Sequence, residues 1–159
     1  MRKKSLEALK KFRRIVSSAQ RHFRRIEEQC GLSGAQLWVL REVAERPGQR
    51  VSDLAKAMSL HLSTTSNLLD KLAKRDLIRR ERNDPDQRIV RLFLTEEGMR
   101  IVTSAPGPAR GVLPEALNRL PDDELDSLNR SLARVLDEIA DSDKGAAMKP
   151  LSDLIPSDL

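Results

Sequence analysis

Residues 51–94 constrain the fold more than any other stretch, because a helical and then an extended hydrophobic pattern follow one another there with only short breaks. Ser52 is a good N-cap for a short helix running Asp53-Leu54-Ala55-Lys56-Ala57-Met58. Ser59-Leu60-His61 then interrupts the pattern, and a second helix is predicted from Leu62 to Arg75. On a helical wheel Thr65, Leu68, Leu69 and Leu72 gather on one side and must face a core. The opposite side carries Ser63, Ser66, Asn67, Asp70 and Lys74, flanked by Thr64 and Lys71. Short hydroxyl and amide groups near a helix N-terminus suit contacts with phosphates and base edges. Beyond Arg75 the pattern becomes strand-like over 77–82 and 88–94, joined through Asn83-Asp84-Pro85-Asp86-Gln87. Asp before Pro there is ordinary hairpin-turn chemistry. Helix, turn, helix and basic hairpin together make a winged helix-turn-helix, in a chain that is otherwise mainly α.

The same residues carry a resemblance. Leu54-Ala55, Ser63-Thr64, Asp70-Lys71-Leu72, Arg75-Asp76-Leu77-Ile78, Asp86-Gln87-Arg88 and Leu94-Thr95-Glu96-Glu97-Gly98 fall in the order and spacing of MarR-type transcription regulators. The Asp-x-Arg of the wing, followed by a strand and Leu-Thr-x-x-Gly, is the most specific part, and the similarity extends over residues 5–142. It implies a homodimer whose 62–75 helix enters the major groove of a palindromic operator in double-stranded DNA, with half-sites about 10 bp apart. It implies that Arg88 at the wing tip reaches an adjacent minor groove. It also implies a small aromatic or anionic effector held between reader and dimer regions. Two departures fall at turns: Ser59 and Asp76 stand where the family usually places Gly. Asp tolerates a left-handed backbone better than most residues, so the turn after the recognition helix survives.

The DNA-facing set expected from these readings is His61, Ser63, Thr64, Ser66, Asn67, Lys71, Lys74, Arg80, Arg82 and Arg88. Some of these have a plainer alternative. His61 either contacts DNA or fills the turn. Arg79, Arg80 and Arg82 form either a phosphate-binding strand face or a solvated one. Asp70 is out of place on an anion-facing surface, unless it pairs with Lys74 one turn on or orients another neighbouring cation.

Charge is distributed unevenly. Net charge is +5, yet residues 1–25 hold ten Lys/Arg against one Glu, and residues 101–159 hold six against eleven Asp/Glu. A basic arm and an acidic end suggest one face for an anion and attraction between the two ends. Aromatics at 3%, with no Tyr, leave little for stacking on single-stranded bases. One Cys excludes an internal disulfide and a Cys-rich zinc site. Met1-Arg2-Lys3-Lys4 resembles a signal-peptide opening, but no apolar segment follows. With no run of membrane-spanning length either, a cytoplasmic location is expected.

The flanks are helical. Leu6, Leu9, Phe12, Val16, Ala19, Phe23 and Ile26 recur at three- and four-residue steps in a dimerisation helix over 5–30, closed by Gly31. Lys10, Lys11, Arg13 and Arg14 on it are either solvated or near the DNA backbone. Ser33-Gly34-Ala35-Gln36 is a capping box opening the reader domain, 33–94, with a first helix to about Glu45 whose buried side is Leu37, Leu40, Val43 and Ala44. Trp38, the only Trp, is an interface or core anchor, or part of a ligand pocket. From 95 to 142 a linker and dimerisation region is capped by Thr95 and broken at 105–111, where Pro106-Gly107-Pro108 cannot continue a helix. Helix is expected again from Gly111 to Leu120, and from Pro121 with an apolar stripe of Leu125, Leu128, Leu132, Val135, Leu136 and Ile139. Residues 143–159 read as a tail, with Leu151, Leu154 and Ile155 as candidate docking points.

Other chemistry has little support. His22, His61 and one distant Cys do not have metal-ligand spacing, and no Gly-rich phosphate loop or nucleophile elbow is present. Neither an enzyme nor a cofactor is expected. Cys30 is structural or incidental on this reading; the alternative, a redox sensor, lacks the supporting Tyr hydroxyls that the resemblance implies. The function expected is a homodimeric, sequence-specific repressor released from its operator by an effector. The rivals are a winged-helix scaffold for protein contacts and an effectorless architectural DNA-binding protein.

Overall fold

The computed structural model describes residues 1–156; the last three positions of the predicted tail, 157–159, lie outside the described residues. Helix α1 (Lys3–Cys30) ends on Gly31 in the left-handed region at φ 62°, with the Gly31 N–H donating to the Glu27 carbonyl. Glycine has no Cβ to oppose that conformation. Only the second half of α1 reaches the core, through Ala19, His22 and Ile26; Leu6, Phe12, Ile15 and Val16 stay exposed. Helix α2 (Gly34–Glu45) opens on the predicted capping box, with the Gln36 N–H donating to Ser33 Oγ and the Ser33 N–H to Gln36 Oε1. Leu37, Leu40 and Val43 are buried as expected, Ala44 is only half-buried, and Ala35, Val39 and Glu42 join the buried set.

Helix α3 (Val51–Met58) starts earlier than the Ser52 cap predicts. Arg50 is the N-cap, and Asp53 Oδ2 accepts the Arg50 N–H at 3.2 Å. A carboxylate in the first turn thus does the work expected of the serine hydroxyl, and it also suits the positive end of the helix dipole. Helix α4 (Leu62–Lys74) buries Thr65, Leu68, Leu69 and Leu72, the predicted set. The turns before and after it hold Ser59 at φ 53° and Asp76 at φ 56°, the two positions that replace glycine.

Strands β1 (Ile78–Glu81) and β2 (Arg91–Leu94) pair antiparallel, Ile78 opposite Leu94 and Glu81 opposite Arg91. The connection is longer than the predicted 83–87 turn, since residues 88–90 do not pair. Asp84 Oδ1 accepts the Asp86 N–H and Asp86 Oδ1 the Arg88 N–H, both at 3.1 Å, and these side-chain bonds compete with the ladder. A segment not anticipated from sequence borders β2 on its other edge: the Gly48 N–H donates to the Leu92 carbonyl at 2.7 Å and the Leu92 N–H to the Gln49 carbonyl at 3.1 Å.

Thr95 caps α5 (Glu96–Ser104) by accepting the Gly98 N–H at 3.0 Å, and its hydroxyl donates to the Asp76 carbonyl at 2.7 Å. Gly98 lies so close to the start of β1 that a Cβ there would run into the Leu77 carbonyl oxygen. That contact explains why the Leu-Thr-x-x-Gly motif ends on glycine. The helix breaks at 105–111 as the prolines predict, and resumes as α6 (Val112–Asn118) and α7 (Asp122–Asp137). Ile139, expected in the last helix, lies beyond its end. The tail is not loose: a 3-10 turn (Lys144–Met148) and a single helical turn, α8 (Leu151–Leu154), fold back towards α2.

The core is one cluster under the reader, built from Ile26, Leu32, Leu37, Leu40, Leu54, Leu69, Leu72, Leu77 and Leu92 with their neighbours. Helix α7 contributes no buried residue to it. Among the described residues, no helix is long and apolar enough to cross a membrane.

Candidate nucleic-acid interface

Helix α4 is anchored at both ends of its inner face. Thr65 Oγ1 donates to the His61 carbonyl at 3.0 Å, and Arg75 at its C-cap donates to the Gly31 carbonyl at 2.6 Å, tying the helix to the end of α1. With the apolar side pinned, Ser63, Asn67, Lys71 and Lys74 point outward and are exposed, while Thr64 and Ser66 are half-buried on the flanks. His61 is the exposed N-cap residue, and its side chain makes no capping bond. The Leu62, Ser63 and Thr64 amides, in the first turn, have no partner within the helix, which leaves a positive end beside the hydroxyl-bearing face.

The wing is joined to this face by one ion pair. Asp70 Oδ1 lies 2.6 Å from Arg80 Nη2 on β1, so Asp70 pairs with Arg80 and not with Lys74 as its position one turn before that lysine suggests. The carboxylate brings an arginine of the strand onto the outer surface of α4, which is the cation-orienting alternative. Arg79 pairs with Glu81 and stacks over Phe93 at 5.0 Å from the ring centroid. Arg82 donates to the Gln87 carbonyl at 3.2 Å across the base of the loop.

Arg88 sits at the wing tip with its side chain 90% exposed. It is held in a two-point contact by Asp86, at 3.1 Å from Nε and 3.2 Å from Nη2. Asp84 takes Arg91 Nη2 at 3.0 Å, and Arg91 Nη1 reaches the Gly48 carbonyl at 3.2 Å, fixing the loop to the reader. Side-chain bonds from Arg91 to Asp84 and from Arg88 to Asp86 hold both carboxyls below their ordinary range. They therefore stay ionised and keep the loop shape at neutral pH. Arg50 is a basic residue outside the predicted set: it is exposed, and its backbone bridges to Arg91 beside the wing. The sequence signal for it is a cation immediately before a helix start.

The structure thus places the ten expected residues on three pieces: His61, Ser63, Thr64, Ser66, Asn67, Lys71 and Lys74 along α4, Arg80 and Arg82 on β1 and just past it, and Arg88 at the loop tip. Asp70–Arg80 joins the first two pieces directly; Arg88 stands apart from α4, at the far end of the hairpin.

A second polar cluster lies behind the interface. Glu42, almost fully buried, accepts from Trp38 Nε1 at 3.0 Å, Arg110 Nε at 3.1 Å and Arg46 Nη2 at 3.2 Å. Burial alone would raise its carboxyl, but the bonds from Trp38, Arg110 and Arg46 outweigh burial and hold it below the ordinary value. Arg41 Nη2 donates to the Ala105 and Pro106 carbonyls at 3.2 and 2.9 Å. The 105–111 bend is therefore stapled onto α2 by two adjacent residues of that helix. Cys30 is half-buried against the core, and burial pushes its thiol up despite the nearby Arg41. A thiol so protonated suits the structural reading.

The comparisons with known proteins agree with this geometry. The sequence profile described as the MarR family matches residues 32–90. The transcriptional regulator HosA of Escherichia coli O111:H- is 30% identical over 116 residues, covering 72% of this chain and 86% of HosA. The HTH-type transcriptional repressor MdtR of Bacillus subtilis is 28% identical over 122 residues, covering 77% of this chain and 78% of MdtR. Among solved structures, a point mutant of S. aureus MepR bound to an oligodeoxyribonucleotide is similar with a TM-score of 0.51 and 25% identity, over 80% of this chain and 94% of that one. With a profile seated on the reader, relatives spanning most of both chains and the winged helix in place, this protein belongs to the MarR family of transcription regulators.

Proposed function

We propose that the chain acts as a homodimeric repressor that reads a palindromic operator with α4 and the wing, and is released by a small molecule. The observation that carries the DNA part is the division of α4 into a buried apolar side and an exposed side of hydroxyl, amide and lysine groups, extended by Arg80. The relatives support the assignment: MdtR is named a repressor and the MepR mutant was solved on an oligodeoxyribonucleotide. Dimerisation is supported by what one chain leaves uncovered. Leu6, Phe12, Ile15 and Val16 on α1 and Val135, Leu136 and Ile139 at the other end of the chain are exposed, and α7 buries nothing. Such stripes at the two chain ends are best covered by the same stripes of a second copy, in a two-fold arrangement. The domain roles follow: 5–30 and 95–142 for assembly, 33–94 for reading.

Selection of bound fragments from random duplex DNA tests this reading against both rivals. A repressor should enrich one palindrome; a protein scaffold should bind no duplex, and an architectural protein should bind without preference. With about 8 phosphates neutralised per dimer, log K should fall against log salt with a slope near −7. A slope shallower than about −3 would assign the basic wing and arm to solvation.

Arg88 supplies a more local test. Its guanidinium is exposed, and a narrow minor groove concentrates negative potential. Its pair with Asp86 is too exposed to hold the fold together. Arg88→Ala is expected to weaken operator binding by about 1–3 kcal/mol. Melting temperature and sedimentation should not change; loss of folding or of the dimer would contradict the assignment.

A further inference from the structure

The C-terminal segment is tied to the starts of two helices. Its 3-10 turn is capped by Asp143, which accepts the Gly145 N–H at 2.9 Å and pairs with Lys149 Nζ at 3.3 Å. From that turn the Met148 carbonyl accepts the His61 N–H at 3.3 Å, at the N-cap of α4. Four residues on, Ser152 Oγ accepts the Ala35 N–H at 3.3 Å, in the first turn of α2, where backbone donors lack helical partners. Between the two contacts Pro150 is buried and Leu151 half-buried.

Behind Pro150 and Leu151 lies an apolar cavity of about 40 Å³, also lined by His22, Ile26, Trp38 and Leu60. That is room for about three waters, against the roughly 300–1,000 Å³ of ordinary small-molecule sites. Pro150, Leu151 and Ser152 of the C-terminal segment form part of the cavity's wall. His22 is 1% exposed and its Nδ1 has no hydrogen-bond partner among the described residues. Burial first, then Arg25 and Arg41, hold its imidazole below the ordinary value, so the ring is neutral at pH 7. A neutral polar atom left unpartnered in an apolar wall offers one specific bond to an occupant.

We propose that residues 143–155 are an intramolecular strap that plugs the cleft between α1, α2 and the α3–α4 turn, and that a compact apolar molecule with one hydrogen-bonding group displaces the strap and removes its support from the N-cap of α4. The strap and such a molecule compete for the same wall. A ligand whose site is open only part of the time binds with its affinity reduced by the open fraction, so weakening the strap tightens binding. Conversely, a bound ligand shifts the strap outward by its preference for the open state. The consequence for DNA rests on α4 being the recognition helix; the displacement itself does not.

The test uses the full chain, with 8-anilinonaphthalene-1-sulfonate as the probe and Trp38, the only Trp, as an internal reporter of the cavity wall. Relative to wild type, the double substitution Pro150→Gly and Leu151→Ser should tighten probe binding by about tenfold and make Trp38 easier to quench with acrylamide. Leu151→Met, which conserves volume, should behave as wild type. In the wild-type chain saturating probe should speed hydrogen exchange at the His61 amide. Equal probe affinity in wild type and the double variant, or unchanged His61 exchange at saturation, overturns the proposal. Should the double variant lose its helical signal, the His61 measurement on the unsubstituted chain decides. None of these readouts contains DNA, so a failure to bind any duplex would remove the recognition-helix reading and leave the strap standing.

Discussion

A chain carrying Phe12→Asp and Val135→Asp is expected to be monomeric, to keep its winged helix, and to bind its operator about a hundredfold more weakly or worse. Both side chains are largely uncovered in one chain, at 43% and 46% exposure, so neither substitution removes a contact within the reader core. In a dimer they would sit in the shared apolar layer, where an unpaired carboxylate is costly. Removing residues 1–26 would be a poorer test, because it also takes Ala19, His22 and Ile26 out of the core. The affinity change follows from valency. A dimer that has placed one α4 holds its second at high effective concentration over the other half-site, and a monomer loses that gain. Sedimentation equilibrium together with fluorescence anisotropy on the selected operator checks both halves. A dimer that survives the double substitution would move the assembly surface away from α1 and α7. A monomer of unchanged affinity would remove the two-half-site reading.

What the sequence reveals and what it hides divide along contact range. The inner face of α4, the cap at Ser33, the cap at Thr95 and the left-handed turns at Ser59 and Asp76 all depend on residues within a few positions of one another, and each is legible. The Arg50 start of α3 escapes the sequence reading although it is just as local, since Ser52 is a stronger cap by type and Asp53 reaching back is equally good chemistry. Asp70 misleads because a helical neighbour, Lys74, is visible in the sequence, whereas its actual partner Arg80 becomes a neighbour only after β1 folds against α4. The segment at Gly48 and Gln49 that edges β2, and the tail's bonds to Ala35 and His61, are non-local in the same way. Glu42 is hidden for a further reason. A Glu set between Arg41 and Val43 in α2 reads as part of the solvent face, and Arg110, which joins it in the fold, lies 68 positions away.

Glu42→Ala is expected to cost about 3 kcal/mol of stability, near the lower end for breaking a buried pair. Arg110 and Arg46 keep 40% and 57% of their side-chain surface in solvent, so each can recover hydration when the carboxylate is gone. Trp38 Nε1 is less free to do so, because its ring is packed against the core. For a chain of this size the loss corresponds to a fall in melting temperature of about 6–12 °C. Acid adds a second signature. The Glu42 carboxyl is held below its ordinary value of 4.5, so the unfolded state takes up its proton first as pH falls. Its contribution is therefore complete above pH 4.5 and is lost below it, as pH drops through the folded value. The His22 imidazole is also held below its ordinary value of 6.5, so it destabilises the fold in a separate and higher window, starting as pH falls under 6.5. Denaturant melts of Glu42→Gln across about pH 3–7 should lose Glu42's share of the lower component, leaving that of Asp84 and Asp86, and retain the upper one. Function should follow stability only in part. Arg110, together with Arg41, fastens the 105–111 bend to α2, and the bend sets where α6 and α7 leave the reader. With one of the two fastenings weakened, the two α4 helices of a dimer should hold their spacing less firmly. Operator affinity in Glu42→Gln is then expected to fall under conditions where the variant is fully folded, and to fall less for a single half-site than for the palindrome. Equal losses on both DNAs would make Glu42 a stability residue alone.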